Sequence, residues 1–314
     1  MMSSNHTMFI IAGFKFSPEI QSAVFVVLLL VYAVSTLGNI TIFIVICLEK
    51  SLHTPMYFFL SSLAVEDIGF ISSTVPTFLV IMATGNGIIS HRSCLMQLYF
   101  FMSFGSVEFT LLALMSVDRY VALSHPLRYH NIITHQTCLC LILLSWVFGF
   151  LVFLYSILLL SNLSFCGPFE VNHFFCEASV LVKMSCSDTS LFDTVFTFFA
   201  SSVSLVSFLV TFLSYSSVIA AVMKIKSSVG KRKAFSTCSS HFLAVTLLYI
   251  TVIFLYVRTI GSVSNDLNKV ISIFNSIVSP FSNPFIYSLR NDKVKEAIWR
   301  VLNLHKVKEN QSLP

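Results

Sequence analysis

Charge is scarce in this sequence. Asp, Glu, Lys and Arg make up only 11% of its 314 residues, less than half of the roughly 25% that keeps a soluble domain wet. A soluble enzyme is excluded at the outset. Glycine and proline are equally thin, at 10 and 8 residues, which rules out collagen and low-complexity chains. With 56% hydrophobic residues and 32 Phe, neither disorder nor a coiled coil fits. No basic stretch leads into a short apolar run and a small-residue cleavage site within residues 1–20, so the first long apolar run is expected to act as its own uncleaved signal. Also missing are His-Glu-x-x-His and Cys-x-x-Cys spacings, the frames a zinc enzyme or structural metal site would need.

What remains is apolar length. At 1.5 Å per residue, about 20 residues cross ~30 Å of hydrocarbon, and seven stretches qualify: 23–48, 57–83, 95–119, 138–160, 193–223, 238–257 and 269–289. The chain reads as an all-α membrane protein, a seven-transmembrane helix bundle. Two spans are interrupted, the second by Glu66 and Asp67 and the seventh by Ser279, Pro280, Ser282, Asn283 and Pro284. With the N-terminus outside, 5 of the 19 Lys and Arg fall outside and 14 inside, so the basic-residue rule sets an extracellular N-terminus of 1–22 and a cytosolic tail of 290–314 with an amphipathic helix. The net charge of +5 is therefore a topology signal, and no nucleic-acid partner is needed to account for it.

Topology also sorts the eight cysteines. Cys47, Cys138, Cys140 and Cys238 lie toward the reducing side and read as small packing residues. Cys94, Cys166, Cys176 and Cys186 face the oxidising side, three of them in the long 161–192 loop. Four cysteines allow three pairings, and spacing does not choose among them. If all pair, at least one bridge ties the loop to the third span. Asn5 is the best-placed glycosylation acceptor; Asn162 is a second, nearer the membrane.

Ionisable groups inside a span cost roughly 2.5–3.5 kcal/mol by insertion scales, which singles out Asp67 and Glu108. A facing pair could share a proton or a small cation; the alternative is hydrogen-bonded carboxylic acids that hold helices together. Glu66 points about 100° away on the same helix. Asp118-Arg119-Tyr120 ends the third span, where an arginine alone could simply snorkel to headgroups. In the seventh, Pro284 removes a backbone donor and crowds the Pro280 carbonyl, so freed groups need partners such as Asn283 or water. That makes a hinge or a static kink.

In order along the chain, these features resemble rhodopsin-like G-protein-coupled receptors, and more narrowly the olfactory receptors. The resemblance rests on Gly38-Asn39, Leu52-His53-Thr54-Pro55-Met56-Tyr57, Asp118-Arg119-Tyr120, Pro126-Leu127-Arg128-Tyr129, His173-Phe174-Phe175-Cys176, Ser214-Tyr215, the stretch from Lys233 to His241, and Asn283-Pro284-Phe285-Ile286-Tyr287. It implies bridges Cys94–Cys176 and Cys166–Cys186. It implies a water or sodium-ion network at Asp67 and Glu108 with Asn39 and Asn283 nearby, sodium being an allosteric ligand and no other metal or cofactor expected. Arg119 would be a switch held by Asp118 at rest, with Tyr215, His241 and Tyr287 supporting the active arrangement and Lys233 to His241 forming the inner end of a moving sixth span.

The same resemblance places a small volatile or hydrophobic ligand in the outer half of the bundle, against Phe101, Met102, Gly105, Ser106, Ser202, Val203, Val206, Tyr249, Val252, Ile253, Ile273 and Ser276. Such a lining is mostly apolar with a few hydroxyls. The expected partner is a heterotrimeric G protein of the stimulatory olfactory type, raising cAMP at the plasma membrane of sensory cilia. Met102 stands where the family often has His, Ile250 and Ser207 replace a frequent Gly and Pro, and Ser282 replaces a common apolar residue. A receptor of this type sensing a metabolite in another tissue is the nearest alternative. A transporter would show internal repeats between spans 1–3 and 5–7, which are absent. Without a zinc motif or a catalytic carboxylate frame, an intramembrane enzyme is not expected.

Overall fold

The computed structural model describes residues 8–14, 16–166, 168–260, 265–291 and 293–301, with the side chains of 233–237, 254–268 and 289–290 outside that description. In chain order the elements are β1 (Met8–Ile11), α1 (Pro18–Leu48), α2 (Pro55–Thr84), β2 (Ile88–Ser90), α3 (His91–Ser124), α4 (Tyr129–Ile132), α5 (His135–Val152), α6 (Leu154–Ser161), β3 (Glu170–Val171), α7 (Ala178–Lys183), α8 (Ser190–Lys224), α9 (Ser228–Ile260) and α10 (Asn265–Arg290). Residues 293–301 are helical as well. With α5 and α6 counted as one, seven long helices pack side by side among the described residues.

Local sequence explains where these helices begin. Pro18 and Pro55 start α1 and α2, positions where a missing N–H costs nothing. Ser90 and Thr134 accept from the backbone of Ser93 and Thr137 and so cap α3 and α5. Burial then runs opposite to that of a soluble bundle. Leu30 and Leu37 on α1 are about 60% exposed, whereas Asn39, Glu66, Asp67, Glu108 and Asp118 are buried. Apolar outside and polar inside suits hydrocarbon. Five of the spans, α1, α2, α3, α5–α6 and α8, are long and apolar enough to cross a membrane, and α9 carries a shorter apolar stretch, Cys238–Ile253.

Several boundaries differ from the sequence expectation. The helices run past the apolar windows, α3 from His91 to Ser124 and α9 from Ser228, because helical hydrogen bonding continues beyond the hydrophobic stretch. Phe153, buried against Val152 and Val203, interrupts the fourth span between α5 and α6.

The N-terminal segment is also more than a tail. Strand β1 lies between β2, antiparallel, and β3, parallel. Phe9 and Ile11 point inward and Met8 and Ile10 outward, the period-2 alternation of a half-buried strand. Four residues were too few to stand out in the sequence. Lys269 of α10 secures the segment by donating to the Gly13 carbonyl at 2.8 Å, with its ammonium 5.3 Å from the centre of the Phe14 ring. Disulfides Cys94–Cys176 and Cys166–Cys186 join the loop before α8 to the top of α3 and to itself, with Cα separations of 5.4 and 5.7 Å.

Candidate functional site

Separate groups of buried polar side chains are spaced through the bundle from its middle to the end opposite the disulfides. The first of them follows from backbone chemistry. Pro284 has no N–H to give the carbonyl four residues earlier, which leaves the Pro280 oxygen without its helical partner. Two side chains of α1 supply the bonds: Ser35 Oγ at 2.7 Å and Asn39 Nδ2 at 3.0 Å. This corrects the expectation that Asn283 would fill that role. A Cβ on Gly38 would come within 2.8 Å of the Pro284 side chain, so the glycine lets α1 approach closely enough for Asn39 to reach across.

Asn283 turns instead to Asp67, donating to both carboxylate oxygens at 3.0 Å. On the same face of α10, Ser279 donates to Glu108 of α3. The two carboxyl groups singled out in the sequence are thus each tied to the seventh span, one turn apart. Glu66 is fully buried, and its two oxygens have no hydrogen-bond partner among the described residues. No three His, Cys, Asp or Glu among the described residues converge as metal ligands.

At the far end, Arg119 pairs with Asp118 through Nη2 at 2.5 Å and Nε at 3.1 Å. Arg119 is 7% exposed and Asp118 1%, so each charge depends on the other for compensation. Tyr129 of α4 completes the arrangement, donating to the other Asp118 oxygen at 2.6 Å. Burial and the neighbouring Asp118 carboxylate push the Tyr129 hydroxyl above its ordinary value, so it stays protonated as a donor throughout neutral pH. The sequence contained Tyr129 within a motif but gave no sign of this bond, which depends on a short helix folding back.

Tyr215 and His241 join α8 to α9 through a 2.6 Å hydrogen bond at Nδ1, with rings nearly parallel. His241 Nε2 and the Tyr287 hydroxyl are buried and without a hydrogen-bond partner among the described residues. Tyr120 packs against the cluster of Tyr215, Val218 and Cys238. Tyr57 donates to Asn291 at 3.2 Å, fastening the start of α2 to the end of α10. The side chains of Lys233 to Thr237 and residue Asn5 lie outside the described residues.

Toward the disulfide end the expected ligand residues separate into three groups. Phe101 stacks on Phe70 at 4.9 Å and meets Phe175 of the lid at 4.9 Å; Met102 packs between three apolar clusters, and Gly105 sits beside Phe70. Val203, Val252, Ile273 and Ser276 are buried or half-buried, as is Ser202. Ser106 and Ser276 donate to carbonyls of their own helices at 2.8 Å, while Tyr249 donates to Ser207 at 3.1 Å. Val206 and Ile253 are corrections. They are 60% and 59% exposed and face away from the bundle, because the assumed rotation of α8 and α9 was one residue position off. Phe70 and Phe175, which pack on Phe101, were not expected beside it: Phe175 and its neighbour Phe174 stood out only as part of the His173–Cys176 motif, and aromatic residues are so common in this chain that composition could not single out Phe70.

Fold and site together define a polytopic helical membrane protein with polar groups buried inside the bundle and a buried arginine–aspartate pair at one end. Comparison with known proteins is more specific. Residues 28–305 match the family model described as "Olfactory receptor". The chain is 43% identical over 304 residues to olfactory receptor 2A7 of Mus musculus, covering 96% of this chain and 98% of that protein. It is 44% identical over 296 residues to human olfactory receptor 2A25, covering 94% and 96%. The chain belongs to the olfactory receptor family, and is an odorant-sensing G-protein-coupled receptor rather than an enzyme.

Proposed function

We propose that this receptor sits in the plasma membrane with its N-terminus outside, binds a small hydrophobic odorant among Phe101, Met102, Val203, Tyr249 and Ile273, and activates a stimulatory olfactory-type G protein that raises cAMP in sensory cilia. The observation that carries the reading is the Asp118–Arg119–Tyr129 lock, buried at the end of the bundle opposite the disulfides. In this resting arrangement Arg119 is occupied with Asp118. An active state would release the guanidinium, swing the inner end of α9 outward and open a cleft for the G protein.

The ligand need only prefer that state. About 1.4 kcal/mol of preference shifts the balance tenfold. Rings of Phe70, Phe101 and Phe175 favour recognition by shape, because Ser106 and Ser276 already spend their hydroxyl protons on their own helices. Asp67, Glu108 and Ser279 would hold a sodium ion as an allosteric ligand, favouring the resting packing of α2, α3 and α10. A chemically broad odorant panel, read by cAMP in cells carrying the receptor and its G protein, tests the assignment. Concentration-dependent responses to one or more hydrophobic odorants are expected; a panel-wide silence at confirmed surface expression would count against it.

A further inference from the structure

One stripe of α3 has no part in those polar groups or the odorant site. Arg92, Met96, Phe100 and Phe104 recur every four residues, with Gln97 alongside, and line a groove of about 560 Å³ against α2. Such a volume is within the range of small-molecule sites. Its floor is aromatic: the rings of Phe100 and Phe104 lie 6.1 Å apart at 25°. Gly69 makes the floor possible, since any Cβ there would collide with the Phe104 ring.

The polar end of the groove is built as well. Gln97 is 7% exposed. Its Oε1 accepts from the backbone of Cys176 in the lid at 3.0 Å, which fixes the orientation of the amide and leaves Nε2 as a buried donor with no partner among the described residues. A buried donor without a partner costs roughly 1–3 kcal/mol, and Gln97 is itself one of the residues that line the groove. Arg92 stands in the first turn of α3, five residues above Gln97, about 7.5 Å along the helix axis. Below Gln97 the α3 stripe is apolar, and the hydroxyls that α2 brings to the groove, Ser72 and Ser73, are engaged with Tyr32 and the Phe70 carbonyl.

We propose that this groove binds one glycerophospholipid. Its phosphate meets Arg92 and the N-terminal end of α3, an ester carbonyl accepts from Gln97 Nε2, and one acyl chain lies along Met96, Phe100 and Phe104. The vertical order of chemistry matches such a lipid: anion, then acceptor, then hydrocarbon, across a headgroup layer that adds about 5–8 Å to each side of the bilayer core. A sterol or a fatty acid offers only one polar group for the two levels. On the orientation proposed above this is the outer leaflet. Because Gln97 also holds Cys176, the bound lipid fastens the lid to the membrane surface.

The test uses the full chain in phosphatidylcholine nanodiscs containing a trace of phosphatidylcholine with a diazirine on one acyl chain. After irradiation, peptide mapping should find about tenfold more adduct on Met96, Phe100 and Phe104 than on bulk-facing residues, for which Leu205 and Leu213, 60% and 63% exposed, serve as references. Gln97→Glu keeps the acceptor for Cys176 but removes the donor, and should cut the enrichment about fivefold. Arg92→Gln should do likewise and serves alone if Gln97→Glu does not fold. Even labelling of all exposed positions, indifference to both substitutions, or stronger groove labelling by a diazirine sterol would overturn the assignment. Neither odorant nor G protein enters the readout, so the result is independent of the signalling proposal.

Discussion

Removing one oxygen atom from Tyr129 should raise the receptor's unstimulated activity. Tyr129→Phe deletes the 2.6 Å hydrogen bond to Asp118 while keeping the ring and both contacts between Asp118 and Arg119. A hydrogen bond to a charged group is worth about 1.5–3 kcal/mol, and a half-buried partner belongs at the lower end of that range. About 1.5 kcal/mol moves a two-state balance roughly twelvefold; a resting population with on the order of 1% active molecules would then hold about 10%. Ligand-free cAMP, measured at matched surface expression, should rise severalfold. The rise should be unchanged between about pH 6 and 8, because the hydroxyl is held above its ordinary range and does not titrate there. In an Asp118→Asn background the extra effect of Tyr129→Phe should shrink. Normal expression with unaltered basal cAMP would refute the claim that this bond stabilises the resting state.

Other perturbations test other parts of the account. Ser35→Ala and Asn39→Ala each leave the Pro280 carbonyl one partner, so the double variant should lose more thermal stability than the two singles summed, by about 1–3 kcal/mol; simple additivity in melting of the purified protein would argue against a shared acceptor. Cys94→Ser breaks the bridge to Cys176 and should abolish surface staining, whereas Cys138→Ser, a buried free thiol, should preserve it; normal trafficking of Cys94→Ser would remove the bridge from the account. For any odorant found by the panel, Phe101→Ala should raise the half-maximal concentration about tenfold or more, and Val206→Ala should leave it unchanged. Equal effects would mean that α8 presents a different face from the one described.

Much of this architecture could be read without coordinates, for physical reasons. Hydrocarbon demands long apolar runs and makes every buried charge expensive, so the spans, Asp67, Glu108 and Arg119 all stand out against their surroundings. Residues whose role depends on helix rotation or chain reversal do not. Val206 and Ile253 are as apolar as any pocket residue yet point outward. Tyr129 reaches Asp118 only because α4 folds back after α3. The partner of the Pro280 carbonyl comes from α1, more than 240 residues away in sequence, and local spacing favoured Asn283. Strand β1 was invisible for a similar reason, since four residues gain their pattern only once β2 and β3 flank them.

The central claim is that Arg119, released from Asp118, carries the signal to the G protein. An odorant-evoked cAMP response in cells expressing Arg119→Ala at the same surface density as the unaltered receptor tests it most directly. The account predicts that the response disappears while the receptor still reaches the surface, and an undiminished response would contradict it.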